Sequence, residues 1–278
     1  MTVNECIEIY TEQCIATGKR SRAWKAFCKQ FAERWGEMDI AEALRPRSVR
    51  AWIGDEKAKG VKDSSIVIKA STLRQLCVIA REEGVSVEFP QSVCRSLVVD
   101  NARRRWLRES EEKALKEDMH PEDFEIVRFF YLNGLRSQEG WLLKVADVDT
   151  DNMRMVLRRT KHNKEQVAEL HPASKALVLR ARRKGLEYVL NSPGIAIANR
   201  IQYGEYWKQT RFKPALERCN IKDFRTHDLR HTTATRMANK GVNVVSINAL
   251  MRHSRIDMTM RYVHPHRKTI REGFAALS

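Results

Sequence analysis

The sequence predicts a mainly α-helical protein with one small antiparallel β-ribbon, organised as a helical N-terminal domain and a larger, basic C-terminal domain. Three observations predict it. Apolar residues recur at 3.6-residue spacing through most of the chain, a single stretch alternates with period two, and the charge is segregated. The 278 residues carry a formal net charge of +16 with a pI near 9.8, yet residues 1–100 hold 16 Lys and Arg against 14 Asp and Glu. The basic field therefore belongs to the C-terminal two thirds. An excess of this size calls for a polyanionic partner, nucleic acid before an anionic membrane.

The first hundred residues read as about four helices. "VNECIEIYTEQCIA" places Val3, Cys6, Ile7, Tyr10, Cys14 and Ile15 on one face, and "SRAWKAFCKQFAERW" repeats the pattern through Trp24, Phe27, Phe31 and Trp35. Pro46 starts a third helix that Gly60 closes, and Asp63 or Ser64 caps a fourth that ends at Gly84. We assign residues 1–98 to this helical domain, 99–110 to a basic linker containing Arg103, Arg104 and Arg105, and 111–278 to the second domain. In that second domain Ser110 could cap a first helix, "PEDFEIVRFFYLN" forms the next up to a break at Gly134, and another begins near Ser137. Met153, Met155 and Leu157 then alternate with Arg154, Val156 and Arg158 before the polar turn "KHNK" and the run "QVAEL", a hairpin with Lys161 at its turn. Helices follow over Ala173–Leu190 and Thr226–Asn239, the latter stopped by Gly241.

Several classes drop out. Hydrophobic content of 42% beside 31% charged residues argues against disorder. No apolar run reaches 18 residues, which rules out a membrane-spanning helix, and "MTVNECIEIY" has neither the basic start nor the apolar stretch of a signal peptide. The six cysteines form no C-x-x-C pair, so buried reduced thiols in a cytoplasmic protein are expected rather than a disulfide framework.

The chemistry is concentrated in "THDLRHTTATRM", Thr226–Met237. Residues three and four apart share a helix face, so His227, Arg230 and His231 stack over one another, and three cationic or near-cationic groups need an anion against them. Arg136 before a helix, Lys161 in the hairpin turn, and His253 with Tyr262 in "RHSRIDMTMRYVHP" add further groups suited to phosphate. Each is weak alone. In this order, Arg136, Lys161, His227, Arg230, His253 and Tyr262 resemble the active-site series of the tyrosine recombinase (phage integrase) family. "NGLRSQE", with Glu139, is similar to its first-arginine box; "RTKHNKE" to its hairpin lysine; "HDLRHTTAT" to its second box; and "MRHSRIDMTMRY" to its histidine followed nine residues later by the nucleophile.

The resemblance covers residues 104–278 as a catalytic domain, and more faintly the N-terminal helices as a core-site DNA-binding domain. It implies a site-specific recombinase in which Tyr262 attacks a DNA phosphate to give a 3′-phosphotyrosyl enzyme without metal, ATP or other cofactor. Ionising a phenol at neutral pH costs about 4 kcal/mol, so such an enzyme must supply a proton acceptor and a cationic cradle. The implied roles are phosphate clamping by Arg136 and Arg230, protonation of the leaving 5′ oxygen by Lys161, general acid or base action by His227, and a hydrogen bond to phosphate from His253. Arg103, Arg104, Arg105 and Lys164 are expected to contact DNA, Lys164 being also a competitor for the role of Lys161. The implied partners are double-stranded recombination sites gripped by both domains, and a homotetramer on two paired sites; accessory DNA-bending proteins stay open as further partners. The tail after Tyr262 would dock on a neighbouring protomer or pack on its own core. Because the chain starts directly at the core-binding-like helices, an N-terminal arm-binding domain is not expected. Two departures stand out: Arg252 precedes His253 where the family commonly has glycine, and "LLKVADVD" lacks the usual tryptophan. His231 has no implied role.

Three other readings compete. His227 and His231 have the i, i+4 spacing of zinc ligands, with His253, His264 and His266 as further donors, but Asp228 stands where a zinc protease needs glutamate. A basic helical protein could also bind DNA without catalysis, as a decayed recombinase or a repressor. A type IB topoisomerase or telomere resolvase would share the cradle.

Overall fold

Helix formation begins at Thr2, whose hydroxyl accepts from the Glu5 amide (3.2 Å) while the Glu5 carboxylate accepts from the Thr2 amide (2.7 Å). This capping box starts α1 (Val3–Ala16). The computed structural model describes residues 1–18, 23–98, 105–158 and 165–262, and these fall into two units, one up to residue 98 and one from Arg105 onward. In the first, α1 is followed by α2 (Ala23–Trp35), α3 (Ile40–Ala43), α4 (Pro46–Ala58), α5 (Asp63–Glu82) and α6 (Gln91–Cys94). Most of the periodic apolar residues face inward: Val3, Cys6, Tyr10 and Cys14 from α1 join Leu73, Leu76 and Cys77 of α5, and Phe31, Trp35 and Trp52 form an aromatic cluster; Ile15, expected on the same face, is 67% exposed near the end of α1. The residue before α5 is Lys62, so Asp63 and Ser64 lie in its first turn rather than at its cap. Cys6, Cys14, Cys28 and Cys77 are buried, Cys94 and Cys219 half-buried, and all six are free thiols; burial pushes the Cys6 thiol up to about 11.

The second unit opens with α7 (Glu109–Asp118). Its start corrects the expectation for Ser110: the Arg108 amide donates to Glu111 Oε2 (3.0 Å), which makes Arg108 the boundary and leaves Ser110 inside the first turn. α8 (Pro121–Asn133) and α9 (Ser137–Trp141) follow, then a three-stranded antiparallel sheet in the order β1 (Val148–Asp149), β2 (Arg154–Leu157), β3 (Gln166–Glu169). Met155 and Leu157 point into the core as their alternation predicts, with Met155 opposite Ala168. The helix expected over 173–190 is shorter. α10 (Lys175–Arg183) ends where Gly185 adopts φ +64°, and the following residues pair instead with the chain after α9, Val145 donating to Glu187 (2.9 Å) and Val189 to Leu143 (3.0 Å). In this arrangement Val189 and Leu190 are buried.

α11 (Arg200–Trp207) continues through a π-helical turn, Lys208–Phe212, into α12 (Lys213–Arg218); α13 (Thr226–Asn239), α14 (Val244–Met251) and α15 (Asp257–Met260) complete the described chain. The core gathers Phe129, Phe130, Trp141, Trp207 and Phe212, each worth roughly 1.5–3 kcal/mol on burial, and the Trp207 indole donates to buried Asp123 (2.7 Å). Against it α13 packs on α8 through Leu229 and through Thr233, whose hydroxyl donates to the Tyr131 carbonyl (2.6 Å). That packing fixes the helix carrying His227, Arg230 and His231. Among the described residues no helix is long and apolar enough to cross a membrane.

Candidate active site

Gly134 ends α8 in the left-handed conformation, φ +58°. A Cβ there would meet Met251 Sδ at 3.1 Å and Leu250 Cδ2 at 3.2 Å, so only glycine lets α14 approach the turn that leads to Arg136. Arg136 is the boundary residue of α9. Its amide donates to Glu139 Oε2 (2.9 Å), its guanidinium to Glu139 Oε1 (2.7 Å) and to the Arg252 carbonyl (3.2 Å).

Arg230 reaches the same place from α13. It is 2% exposed, and its two terminal nitrogens donate to the carbonyls of Gly134 and Met251. These are the C-terminal ends of α8 and α14, where unpaired carbonyls favour a cation. Glu139 lies 4.0 Å from the same guanidinium. Arg252, the left-handed C-cap of α14 at φ +52°, donates to Glu139 Oε2 (2.8 Å) and to the Leu250 carbonyl (2.7 Å), while its buried Nε has no partner. Three guanidiniums thus share one carboxylate. Burial alone would push Glu139 up, but Arg252 and Arg136 together hold it below the ordinary carboxylate range. Arg230 is brought down to about 9 by burial first and by Arg136 and Arg252 after it.

His253 follows the C-cap. Its Nδ1 is 2.8 Å from Thr259 Oγ1, and that hydroxyl donates to Asn248 Oδ1 (2.9 Å), which leaves the threonine oxygen to accept from His253 Nδ1–H. Tyr262 comes just after α15, is 8% exposed, and packs with Ala234, Ile247 and Met251. Its hydroxyl is hydrogen-bonded to Nδ1 of His231, and the His231 ring stands edge-on to His227 with centroids 4.9 Å apart. Burial first, then neighbouring ionisable groups, lowers all three histidines: His227 through Arg230, His253 to about 4 through Arg230 and Arg136, and His231 to about 4 through His227, Arg261 and Arg230. Burial raises the Tyr262 phenol, with Arg261 and Arg230 pulling the other way.

Arg136, His227, Arg230, His253 and Tyr262 accordingly line one cavity of about 730 Å³, together with His231, Arg252 and Gln166. An excess of fixed, buried cations around a phenol can hold a phosphate diester and stabilise the charge that develops when it is attacked. Lys161, Lys164, Arg103, Arg104 and the tail after Tyr262 lie outside the described residues. Arg105 does not line the cavity: it forms a double ion pair with Glu111 (2.6 and 2.9 Å) and stacks on Phe224. Among the described residues no three His, Cys, Asp or Glu side chains converge on a metal position; His264 and His266 lie outside those residues. Sequence reasoning missed Asn248 and Thr259, which aim His253, and nothing in their spacing signals it.

Comparison with known proteins gives one consistent picture. The phage integrase family model matches residues 105–269, more than half of the chain. A tyrosine recombinase XerC of Thermodesulfovibrio yellowstonii is 26% identical over 281 residues, covering 92% of this chain and 90% of the relative. A tyrosine recombinase XerA of Thermococcus onnurineus is 26% identical, covering 94% and 90%. Among solved structures, the Tn1549 transposon integrase in complex with transposon right end DNA superposes with a TM-score of 0.72 at 19% identity, over 100% of this chain and 99% of that one. A lambda integrase dimer bound to a COC′ core site gives 0.70 at 15% identity, over 95% and 77%.

Proposed function

The chain belongs to the phage integrase family of tyrosine recombinases, and on that premise we propose that it cleaves and rejoins DNA strands at specific sites with Tyr262 as nucleophile. The observation that carries this reading is the convergence of Arg136, His227, Arg230, His253 and Tyr262 on one cavity. Arg136 and Arg230 bind the non-bridging oxygens of the scissile phosphate, Arg230 with little reorganisation because two carbonyls already hold it. Attack by the Tyr262 oxygen yields a 3′-phosphotyrosyl bond and a free 5′ hydroxyl, with Lys161 protonating the leaving oxygen. The ester conserves the bond energy, so the 5′ hydroxyl of a second strand reverses the step and exchange needs neither ATP nor metal.

His253 has a specific constraint in this scheme. Its Nδ1–H is spent on Thr259, so Nε2 must gain a proton before it can donate to a phosphate oxygen. A bound phosphodiester, by offsetting Arg230 and Arg136, favours that protonation. Exchange between two duplexes requires four cleavages, and the reading therefore includes four protomers on two paired sites.

Covalent trapping tests the proposal. The protein and its Tyr262→Phe variant are incubated, with EDTA present, on labelled nicked duplexes tiled across the DNA flanking its gene, then resolved on a denaturing gel. A slowly migrating adduct for the wild type alone is expected. An adduct that survives in the variant would move the nucleophile elsewhere, and binding of every duplex without any adduct would mean either that the target sequence lies outside the tiled DNA or that this is a DNA-binding protein that performs no strand chemistry.

A further inference from the structure

We propose that His231, rather than His227, is the group that accepts the phenolic proton of Tyr262 when the DNA strand is cut. The inference rests on the reading of Tyr262 as nucleophile and goes beyond it by assigning the base. His231 sits one helical turn after His227 and beside Arg230 on α13, and its Nδ1 is the atom hydrogen-bonded to the Tyr262 hydroxyl. The two rings are 5.6 Å apart and tilted by 42°, and the residues are 9% and 8% exposed. Water therefore has little access to the phenol, and a proton leaving it needs an acceptor from the protein.

The surroundings of His231 suit that task. From its own helix it faces His227, Asp228 and Arg230, and from the Tyr262 side it faces Arg261. Burial and the cationic neighbours, partly countered by Asp228, keep the ring neutral at ordinary pH, with its lone pair available on Nδ1 if the ring proton is on Nε2. A weakly basic imidazole does not deprotonate a buried phenol at rest, which guards the nucleophile while no substrate is bound. A phosphodiester entering beside Arg136 and Arg230 brings negative charge next to the ring and raises its basicity when the transfer is needed.

The step balances. As the bond from Tyr262 Oη to phosphorus forms, the phenolic O–H bond breaks and its proton passes to His231 Nδ1. The bond from phosphorus to the 5′ oxygen breaks, its electron pair stays on that oxygen, and the general acid of the reading protonates it. On rejoining, a 5′ hydroxyl returns its proton to that acid, and the departing Tyr262 oxygen recovers its own from His231.

The experiment compares wild type, His231→Asn and His231→Ala in single-turnover adduct formation on a nicked duplex containing the cleavage position mapped with the wild type. An asparagine oxygen occupies the place of Nδ1 and can orient the phenol, but it is no base. If His231 accepts the proton, both variants bind DNA and cleave it about 10²-fold or more slowly. A 5′-bridging phosphorothiolate, whose sulfur leaves without protonation, will not restore them, since the lesion is at the attacking end. An asparagine variant that cleaves at the wild-type rate would reduce His231 to an orienting contact, and rescue by sulfur would move it to the leaving end; either overturns the assignment. Should the variants fail to fold, ¹⁵N NMR of histidine-labelled wild type decides the matter: a proton on Nε2 is expected, and a proton on Nδ1 sinks the inference. The nucleophile reading is separated by its own control. A wild-type adduct that also forms in Tyr262→Phe refutes that reading and the base with it, whereas a Tyr262 adduct formed equally well without a base at position 231 refutes the base alone.

Discussion

Glu56 in α4 and Glu139 in α9 are each 4% exposed, and each has more than one cation beside it, yet their surroundings differ in where the surplus charge resides. Glu56 pairs with Lys69 and with Lys59 (3.3 Å), and the Lys59 side chain is 66% exposed. Its surplus is in water and costs little. Around Glu139 stand Arg136, Arg230 and Arg252, and the side chains of the last two are 3% and 8% exposed. That surplus is out of water and is held by carbonyls from two helix ends. A buried carboxylate with a solvated surplus is scaffold; one whose surplus is buried is, under the function proposed above, half of a binding site that an anion from outside completes. The unfavourable work of gathering the cations is done during folding, and a phosphate then meets a cradle already aimed.

The largest expected effect breaks the comparison at its centre. Arg230→Lys should slow adduct formation about 10²- to 10³-fold, because an ammonium cannot hold two helix-end carbonyls and a phosphate in one plane. Lys69→Met, in the other unit, should destabilise the protein by about 1–3 kcal/mol by removing a half-buried partner of buried Glu56, while the folded fraction cleaves saturating DNA at the wild-type rate. Single-turnover rates and urea midpoints measured on both variants check the contrast; equal losses of rate would mean that the two carboxylates do the same work.

Acid should sharpen it. All eight histidines lie beyond residue 119, and in the second unit burial and neighbouring cations hold His231 and His253 near 4. Between about pH 6.5, the ordinary histidine value, and pH 4, the unfolded chain binds protons at these rings that the folded unit refuses. Stability from these groups is therefore intact above that window, falls as the pH falls through it, and levels off below. Above about pH 5, where carboxylates scarcely titrate, the loss should appear in the second unit and not in the first. Hydrogen exchange corrected for its intrinsic pH dependence reads each unit separately. His231→Asn and His253→Asn should each remove part of the slope, and equal slopes in both units would break the account.

The ease with which the sequence was read follows the same division. The longer N-terminal helices announce themselves because each buries a regular stripe, while their start signals are uneven: Thr2 with Glu5 boxes α1 and Pro46 opens α4, but Lys62 before α5 makes no side-chain cap. The site residues were legible as a set because their types and order are unusual together, although only the family resemblance gave them roles. Short-range pattern ran out where partners are far apart in sequence. β1 is two residues long and offers no alternation. The apolar run after Gly185 looks helical until Leu143 and Val145 are there to pair with it. Nothing in the run Arg103–Arg105 signals that Arg105 pairs with Glu111 and stacks on Phe224. The partner of His231 is 31 residues away, and no spacing rule connects them.

The smallest expected effect concerns the one cation in the cluster that sits where the family commonly has glycine. Arg252 holds a left-handed backbone, φ +52°, which costs a residue with a side chain about 1 kcal/mol or more, and it gains in return its contact with Glu139. Arg252→Gly removes both the strain and the contact, so its stability should lie within about 1 kcal/mol of wild type. Arg252→Ala removes the contact but keeps the strain, and should fall below the glycine variant by about 1 kcal/mol, the reverse of the usual helix ranking. Glu139 still has Arg136 and Arg230 in both variants, so cleavage should change only a few-fold. Urea unfolding at unchanged m-value checks the order. Were alanine and glycine equal, the backbone would carry no strain for the ion pair to offset; were glycine far more stable than wild type, Arg252 would be tolerated for what it does to the phosphate rather than for what it does to the fold.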